Sequence, residues 1–301
     1  MQWGATAWCR DMAPLGVHTA FAADDPRLLD AALAGYRAWG ETEAPETPRI
    51  EIRLTLGERA APGPCLVRVT GSQLTLSGTG VTGEADARLG TARCIVPPHF
   101  LDDPASLVAD ILDPLLLFLL ARTGRTPLHA AGVVIGETAL LLCGASGSGK
   151  STLALTAAGA GLPVLSDDTV YVQTDPVLRV WGFPRPIHVF PADDPTGSDH
   201  RRLRSGRIKA AVPLPASASV LKADRALLCL LDHGDDAALE PMDSVAATER
   251  LSRLEPGFDL LAADSAAAVR ALAANGAWRL TLSRRPAHAI ALLRDRFGDG
   301  G

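Results

Sequence analysis

The spacing of apolar and polar residues changes near residue 103. Before that point, residues 26–39 carry apolar side chains at helical spacing, and residues 49–56 alternate as a half-buried strand does. Two short apolar runs, 66–69 and 74–76, flank Gly71-Ser72 and predict a β-hairpin. We therefore predict a small α+β domain over residues 1–103, with an accessory role in substrate recognition.

From residue 104 onward the pattern predicts an α/β domain that extends to residue 301. A helix over about 105–121 is followed by a strand over 128–135 and by a returning strand over 138–143. A second helical pattern then leads into an apolar strand over 163–168 that ends in paired aspartates. The antiparallel hairpin at 128–143 feeds directly into a glycine-rich loop, which is an uncommon start for a nucleotide-binding fold.

That loop, Gly144–Ser151, matches Gly-x-x-x-x-Gly-Lys-Ser, the phosphate-binding pattern known as Walker A. Its glycines allow the backbone to wrap a polyphosphate, and the positive end of the following helix favours the anion. Lys150 is expected to reach the β- and γ-phosphates, and the Ser151 hydroxyl to ligate Mg²⁺. We predict binding of ATP and Mg²⁺, with these nucleotide-binding residues: Gly144, Ala145, Ser146, Gly147, Ser148, Gly149, Lys150, Ser151 and Thr152.

Composition and charge narrow the function classes. The 301-residue chain has a net charge of −5, which argues against nucleic acid and anionic membranes as partners. Its five cysteines include no Cys-x-x-Cys pair, which favours reduced thiols and no zinc site. The apolar run 111–121 is too short to span a bilayer, and the N-terminal segment lacks a signal-like apolar core. We expect a cytoplasmic protein, and self-association stays open.

Four further side chains are candidates for chemistry. Asp167 and Asp168 end a strand close after the loop, where a base and a carboxylate near Mg²⁺ would be needed. We assign Asp167 as base and Asp168 as the metal-side partner; a solvated turn is the alternative. His129 is either a catalytic group or a hydrogen-bonded core histidine. Arg185, held between two prolines, is either a phosphate or substrate contact or a surface arginine.

Three segments together resemble the HPr kinase/phosphorylase family: Leu128-His129-Ala130, the loop through Thr152, and Leu165-Ser166-Asp167-Asp168. The resemblance covers roughly residues 125–190. It implies a core fold shared with phosphoenolpyruvate carboxykinases and ATP-dependent phosphorylation of a protein serine. It also implies that Lys150 and Ser151 handle phosphate and Mg²⁺, that the aspartate pair includes the base, and that His129 lies near the transferred phosphate.

The chain departs from that family after the aspartates. It carries Gly182-Phe183-Pro184-Arg185-Pro186 near the place of the family's Glu-x-Arg-Gly stretch. In this it resembles the divergent kinases that phosphorylate a serine of lasso-peptide precursors. We expect a serine kinase acting on a peptide or protein acceptor.

The sequence is also compatible with other functions. The alternatives are a small-molecule kinase, and an ATPase or nucleotide sensor in which residues 226–232 form a Walker B strand ending at Asp232. The basic run 200–209 is either a solvated loop or a cover for an acidic peptide or triphosphate.

Overall fold

A computed structural model describes residues 7–40, 49–191, 194, 197, 200–202, 208–254 and 262–298. The chain divides into two compact units, 1–123 and 124–301. The division falls after the helical segment 104–121, whereas the sequence pattern placed it before that segment, at 103/104. The physical reason is that the apolar side chains of this segment fill the core of the first unit.

One seven-stranded sheet forms the first unit, with strand order β1-β2-β3-β7-β6-β5-β4. The β2–β3 and β3–β7 pairs are parallel and the others are antiparallel. The alternation in β3 places Ile50, Ile52 and Leu54 in the core, each at most 1% exposed. The strands are β1 Trp8–Met12, β2 Thr19–Ala23, β3 Ile50–Leu56, β4 Leu66–Thr70, β5 Gln73–Gly78, β6 Val81–Asp86 and β7 Thr91–Val96.

Helices cover one face of that sheet. They are α1 Pro26–Leu33, α2 Pro104–Leu107 and α3 Asp113–Ala121, the last two joined by a π-helical turn, Val108–Leu112. The combined segment Pro104–Ala121 agrees with the helix predicted over about 105–121. With 18 residues it is long and apolar enough to cross a membrane, whereas the sequence analysis considered only the shorter apolar run 111–121. Its residues Ile111, Leu112 and Leu115 are completely buried, as in a core helix.

A six-stranded sheet forms the centre of the second unit, with order β11-β9-β10-β18-β20-β19. Apolar side chains pack on both of its faces, with α5 and α6 on one side and α4 and α7 on the other. Its strands are β9 Ala130–Ile135, β10 Thr138–Cys143, β11 Val164–Ser166, β18 Arg225–His233, β19 Ala238–Met242 and β20 Ala277–Leu282. The helices are α4 Lys150–Gly159, α5 Ser244–Leu254, α6 Ala262–Ala274 and α7 Pro286–Phe297.

Two smaller sheets complete this unit. One has order β17-β13-β12-β8 and the other β14-β16-β15. Their strands are β8 Thr126–Leu128, β12 Val170–Gln173, β13 Arg179–Trp181, β14 Ile187–Val189, β15 His200–Arg202, β16 Ile208–Val212 and β17 Lys222–Ala223. The basic run 200–209 falls on β15, on the start of β16, and on residues 203–207, which lie outside the described residues.

The strand predicted over 128–135 is two strands. Thr126–Leu128 pairs with β12 in the four-stranded sheet, and Ala130–Ile135 pairs with β10 and β11 in the central sheet. His129 is the residue between them. The predicted single strand is therefore wrong at this point, because the chain leaves one sheet and enters another at His129. The mixed α/β class expected from the sequence is confirmed.

Candidate functional site

Glycines shape the loop between β10 and α4. Gly147 and Gly149 have φ angles of 87° and 92°, a left-handed conformation that other residues rarely adopt. At Gly144, an added Cβ would lie 2.5 Å from the Ser148 hydroxyl oxygen and 3.3 Å from Leu231 Cβ. The loop therefore requires its glycines, and α4 begins directly after it at Lys150.

Lys150 folds back over the loop. Its Nζ donates hydrogen bonds to the carbonyl oxygens of Gly144 at 2.5 Å and Ala145 at 3.1 Å. The side chain is only 6% exposed. The ammonium group is thus held next to the loop backbone, where phosphate oxygens would replace the carbonyl oxygens as its partners.

The Ser148 hydroxyl indicates that the loop fits an anionic ligand. Its oxygen is buried and has no hydrogen-bond partner in the structure. A buried polar group without a partner costs free energy of about 1–3 kcal/mol. An oxyanion accepting a hydrogen bond from this hydroxyl would remove that cost, as expected for a loop that binds phosphate.

Asp167 lies at the end of β11, where the strand brings it to the loop. The side chain is 6% exposed, accepts a hydrogen bond from the backbone N–H of His188 at 3.0 Å, and lies beside the Ser151 hydroxyl. Burial raises the pKa of the Asp167 carboxyl, although the hydrogen bond from the His188 N–H and the nearby Ser151 hydroxyl oppose this. A buried carboxylate is therefore fixed directly beside the loop serine.

Asp168 has the opposite environment. Its side chain is 69% exposed, with Oδ1 3.4 Å from His129 Nε2 and Oδ2 accepting from the Thr169 hydroxyl at 3.3 Å. The hydrogen bond from His129 is the main reason that the pKa of Asp168 is lowered, and the charge of Lys150 lowers it further. His129 and Asp168 thus form an accessible pair near the loop lysine.

The segment 182–188 crosses the end of β11. Gly182 lies so close to the backbone of Leu165 that a Cβ would collide with the Leu165 carbonyl. His188, at the other end of the segment, donates its backbone N–H to Asp167. Arg185 lies three residues before it, with the guanidinium 4.8 Å from the centre of the Phe183 ring. The segment is therefore anchored on both sides of Arg185, at Leu165 and at Asp167.

The residues present fit a magnesium ion. Among the described residues, no three or more His, Cys, Asp or Glu side chains are grouped as a full metal cage. Mg²⁺ bound to phosphates needs only one or two protein oxygens, because water and the phosphates supply the others. The oxygens of Ser151 and of the neighbouring Asp167 are the ligands that such a site would use.

The strand expected to act as Walker B in an ATPase ends in an ion pair. Both carboxylate oxygens of Asp232 accept from Arg250, at 2.8 Å and 2.5 Å, and the same guanidinium donates to the Leu231 carbonyl at 2.9 Å. This pairing lowers the pKa of Asp232. The carboxylate is therefore held by α5, and it is Leu231 that packs against the loop at Gly144.

Sequence reasoning missed two groups: the backbone N–H of His188 and the guanidinium of Arg250. His188 acts through its backbone N–H, so no side-chain pattern indicates it. The pairing of Arg250 with Asp232 depends on the packing of α5 against β18, which spacing alone does not give.

Comparisons with known proteins do not establish a family. No family model and no curated protein matches the chain. Among solved structures, the Hpr(Ser) kinase/phosphatase from Coxiella burnetii is similar to it, with 14% sequence identity and a TM-score of 0.32. The match covers 57% of this chain and 96% of that one. At this TM-score the likeness carries no argument about function.

Proposed function

We propose that the chain is an ATP-dependent kinase that phosphorylates a serine of a peptide or protein acceptor, with Mg²⁺ as cofactor. The observation that carries the proposal is the buried Asp167 carboxylate beside the Ser151 hydroxyl, because it brings a carboxylate from a neighbouring strand to the loop serine. The side chains proposed to bind phosphate, to bind Mg²⁺ and to accept the proton then all belong to one loop and its immediate neighbours.

Each residue has a role in this reaction. Ser151 and Asp167 would hold Mg²⁺, which would supply positive charge at the phosphates of the nucleotide. Lys150 transfers its hydrogen bonds from the loop carbonyls to those phosphates, and the loop glycines admit them. Ser148 donates its unpartnered hydroxyl to a phosphate oxygen. Together these groups hold the nucleotide in place for attack on the γ-phosphate.

The contacts of the two aspartates support the reverse of the roles assigned from the sequence. Asp167 is buried against Ser151, which suits the metal side, although its raised pKa would also suit a base. The serine hydroxyl of an acceptor that approaches from solvent reaches the exposed Asp168 carboxylate more readily than the buried Asp167 carboxylate. We infer that Asp168 accepts the hydroxyl proton, while His129 orients its carboxylate, as the serine oxygen bonds to the γ-phosphorus and ADP leaves.

A transfer assay tests the proposal. The protein is incubated with ATP and Mg²⁺ together with a serine-containing precursor peptide, HPr or free serine, and the products are weighed by mass spectrometry. We expect phosphate on the peptide or on HPr. Phosphoserine as the only product would indicate a small-molecule kinase. Free phosphate without any modified acceptor would indicate an ATPase, and nucleotide binding without turnover would indicate a sensor.

A further inference from the structure

The strand β4 is an exposed sheet edge. It pairs with β5 on one side, and no described strand pairs with its other side. All five of its residues are exposed, including Leu66 at 69%, Val67 at 42% and Val69 at 38%. Long apolar edge strands invite pairing with another chain, and natural proteins usually protect them with charges or proline. Only one of the five residues, Arg68, is charged.

The register shows which backbone groups are available. Gly71-Ser72 is a two-residue hairpin loop, and Gly71 has the positive φ, 56°, of a type II′ turn. The pair that flanks such a loop, Thr70 and Gln73, is hydrogen-bonded, so β4 bonds to β5 through residues 66, 68 and 70. The N–H and C=O groups of Val67 and Val69 therefore point away from the sheet.

Charge at this edge is positive. The strands β4 and β5 contain no acidic residue, and Arg68 is their single charge. A second cation lies at the hairpin tip, where Arg122 donates to the Gly71 carbonyl at 3.5 Å and stacks on Phe118 at 3.8 Å. A strand that added to β4 would place one side chain opposite Arg68 and apolar neighbours beside Val67 and Val69.

We propose that β4 binds an extended segment of the acceptor peptide in which an acidic residue stands between two apolar residues. Only the identification of this peptide as the acceptor rests on the proposed kinase function. Such a segment would gain main-chain hydrogen bonds at Val67 and Val69 and an opposite charge at Arg68. A second copy of the chain fits less well. The antiparallel register that pairs Val67 of one copy with Val69 of the other also places the two Arg68 side chains opposite each other.

A binding experiment without nucleotide separates this proposal from the kinase function. Fluorescence anisotropy measures the affinity of a labelled peptide that alternates valine with glutamate, and of a matched peptide that alternates valine with lysine. Both are titrated with the Lys150→Ala protein, so no phosphoryl transfer contributes. Val67→Pro removes one outward N–H without touching the β4–β5 bonds, and Val67→Thr keeps that N–H as its control.

We expect the glutamate peptide to bind. Val67→Pro should lower its affinity about tenfold, and Val67→Thr should change this affinity by less than about twofold. Arg68→Glu should reverse the preference, so that the lysine peptide binds more tightly than the glutamate peptide. This variant is the second test if a lowered melting temperature shows that Val67→Pro destabilises the fold. Equal affinity of the two peptides, or equal affinity of the two Val67 variants, would overturn the proposal. A dimer in sedimentation that Val67→Pro dissociates would also overturn it, in favour of a second copy.

Discussion

The carboxylate of Asp167, at the end of β11, lies beside the hydroxyl of Ser151 in the first turn of α4, and this hydroxyl opposes the rise in the pKa of Asp167 that burial causes. In phosphate-loop enzymes the loop serine and a carboxylate from a nearby strand hold Mg²⁺ between them. Because Asp168 lies beside His129 instead, the two adjacent aspartates have different environments. Substitutions of the pair should therefore give different kinetic results.

Asp167→Asn should weaken Mg²⁺-dependent ATP binding, because a carboxylate at the metal is lost. Asp168→Asn should leave ATP affinity nearly unchanged and slow phosphoryl transfer by about 10²–10⁴-fold, the usual contribution of a positioned base. Calorimetry with and without Mg²⁺ measures the first effect, and single-turnover kinetics the second. The opposite pattern would restore Asp167 as the base, and normal turnover in both variants would exclude the pair from catalysis.

Asp167→Asn should also stabilise the metal-free protein at neutral pH. Because burial raises the pKa of Asp167, its ionisation costs stability as pH rises from the unfolded-state value toward the folded-state value. The variant lacks this cost, so we expect its melting temperature to exceed that of the wild type at pH 7 and to match it near pH 3.5. Calorimetry in EDTA measures this. An equal difference at both pH values would attribute the effect to packing instead.

The sequence predicted the loop and the hairpin at Gly71-Ser72, because both depend on local backbone chemistry. It did not predict that the chain changes sheets at His129, because an apolar run has the same residue pattern whether it belongs to one sheet or to two. The sequence also did not predict which of the two side chains, Asp167 or Asp168, faces the loop. Adjacent residues point in different directions, and only the packing of α4 and of the segment 182–188 decides which one meets the loop.

His129→Ala should shift the acidic limb of the activity profile to higher pH. The hydrogen bond from His129 is the main cause of the lowered pKa of Asp168, so its loss raises that pKa. The ionised base would then be lost at a higher pH as the solution is acidified. The pH dependence of kcat/KM measures the shift, with the exposed His288→Ala as control. An unchanged limb would contradict the role of Asp168 as base.

Lys150→Met should reduce phosphoryl transfer by at least about 10²–10³-fold, because one preorganised cation at the phosphates is lost. The loop carbonyls of Gly144 and Ala145 also lose their donor, so a small fall in melting temperature is expected. Lys222→Met, at an exposed lysine outside the loop, is the matched control. Wild-type turnover in the Lys150 variant would exclude the kinase function.

Asp232→Asn separates the kinase from an ATPase with a Walker B strand. Because Arg250 binds both oxygens of Asp232, we expect transfer to stay within about threefold of the wild-type rate. The pKa of Asp232 is lowered by this pairing, so the pair stabilises the fold above the unfolded-state pKa and loses that effect as pH falls through the folded-state value. The pair is partly exposed, so its loss should cost at most about 1 kcal/mol at pH 7. Parallel assays of peptide phosphorylation and free phosphate release measure the outcome. If Asp232→Asn abolished ATP turnover while Asp168→Asn preserved it, the ATPase function would replace the kinase, because the carboxylate acting at the phosphates would then come from β18.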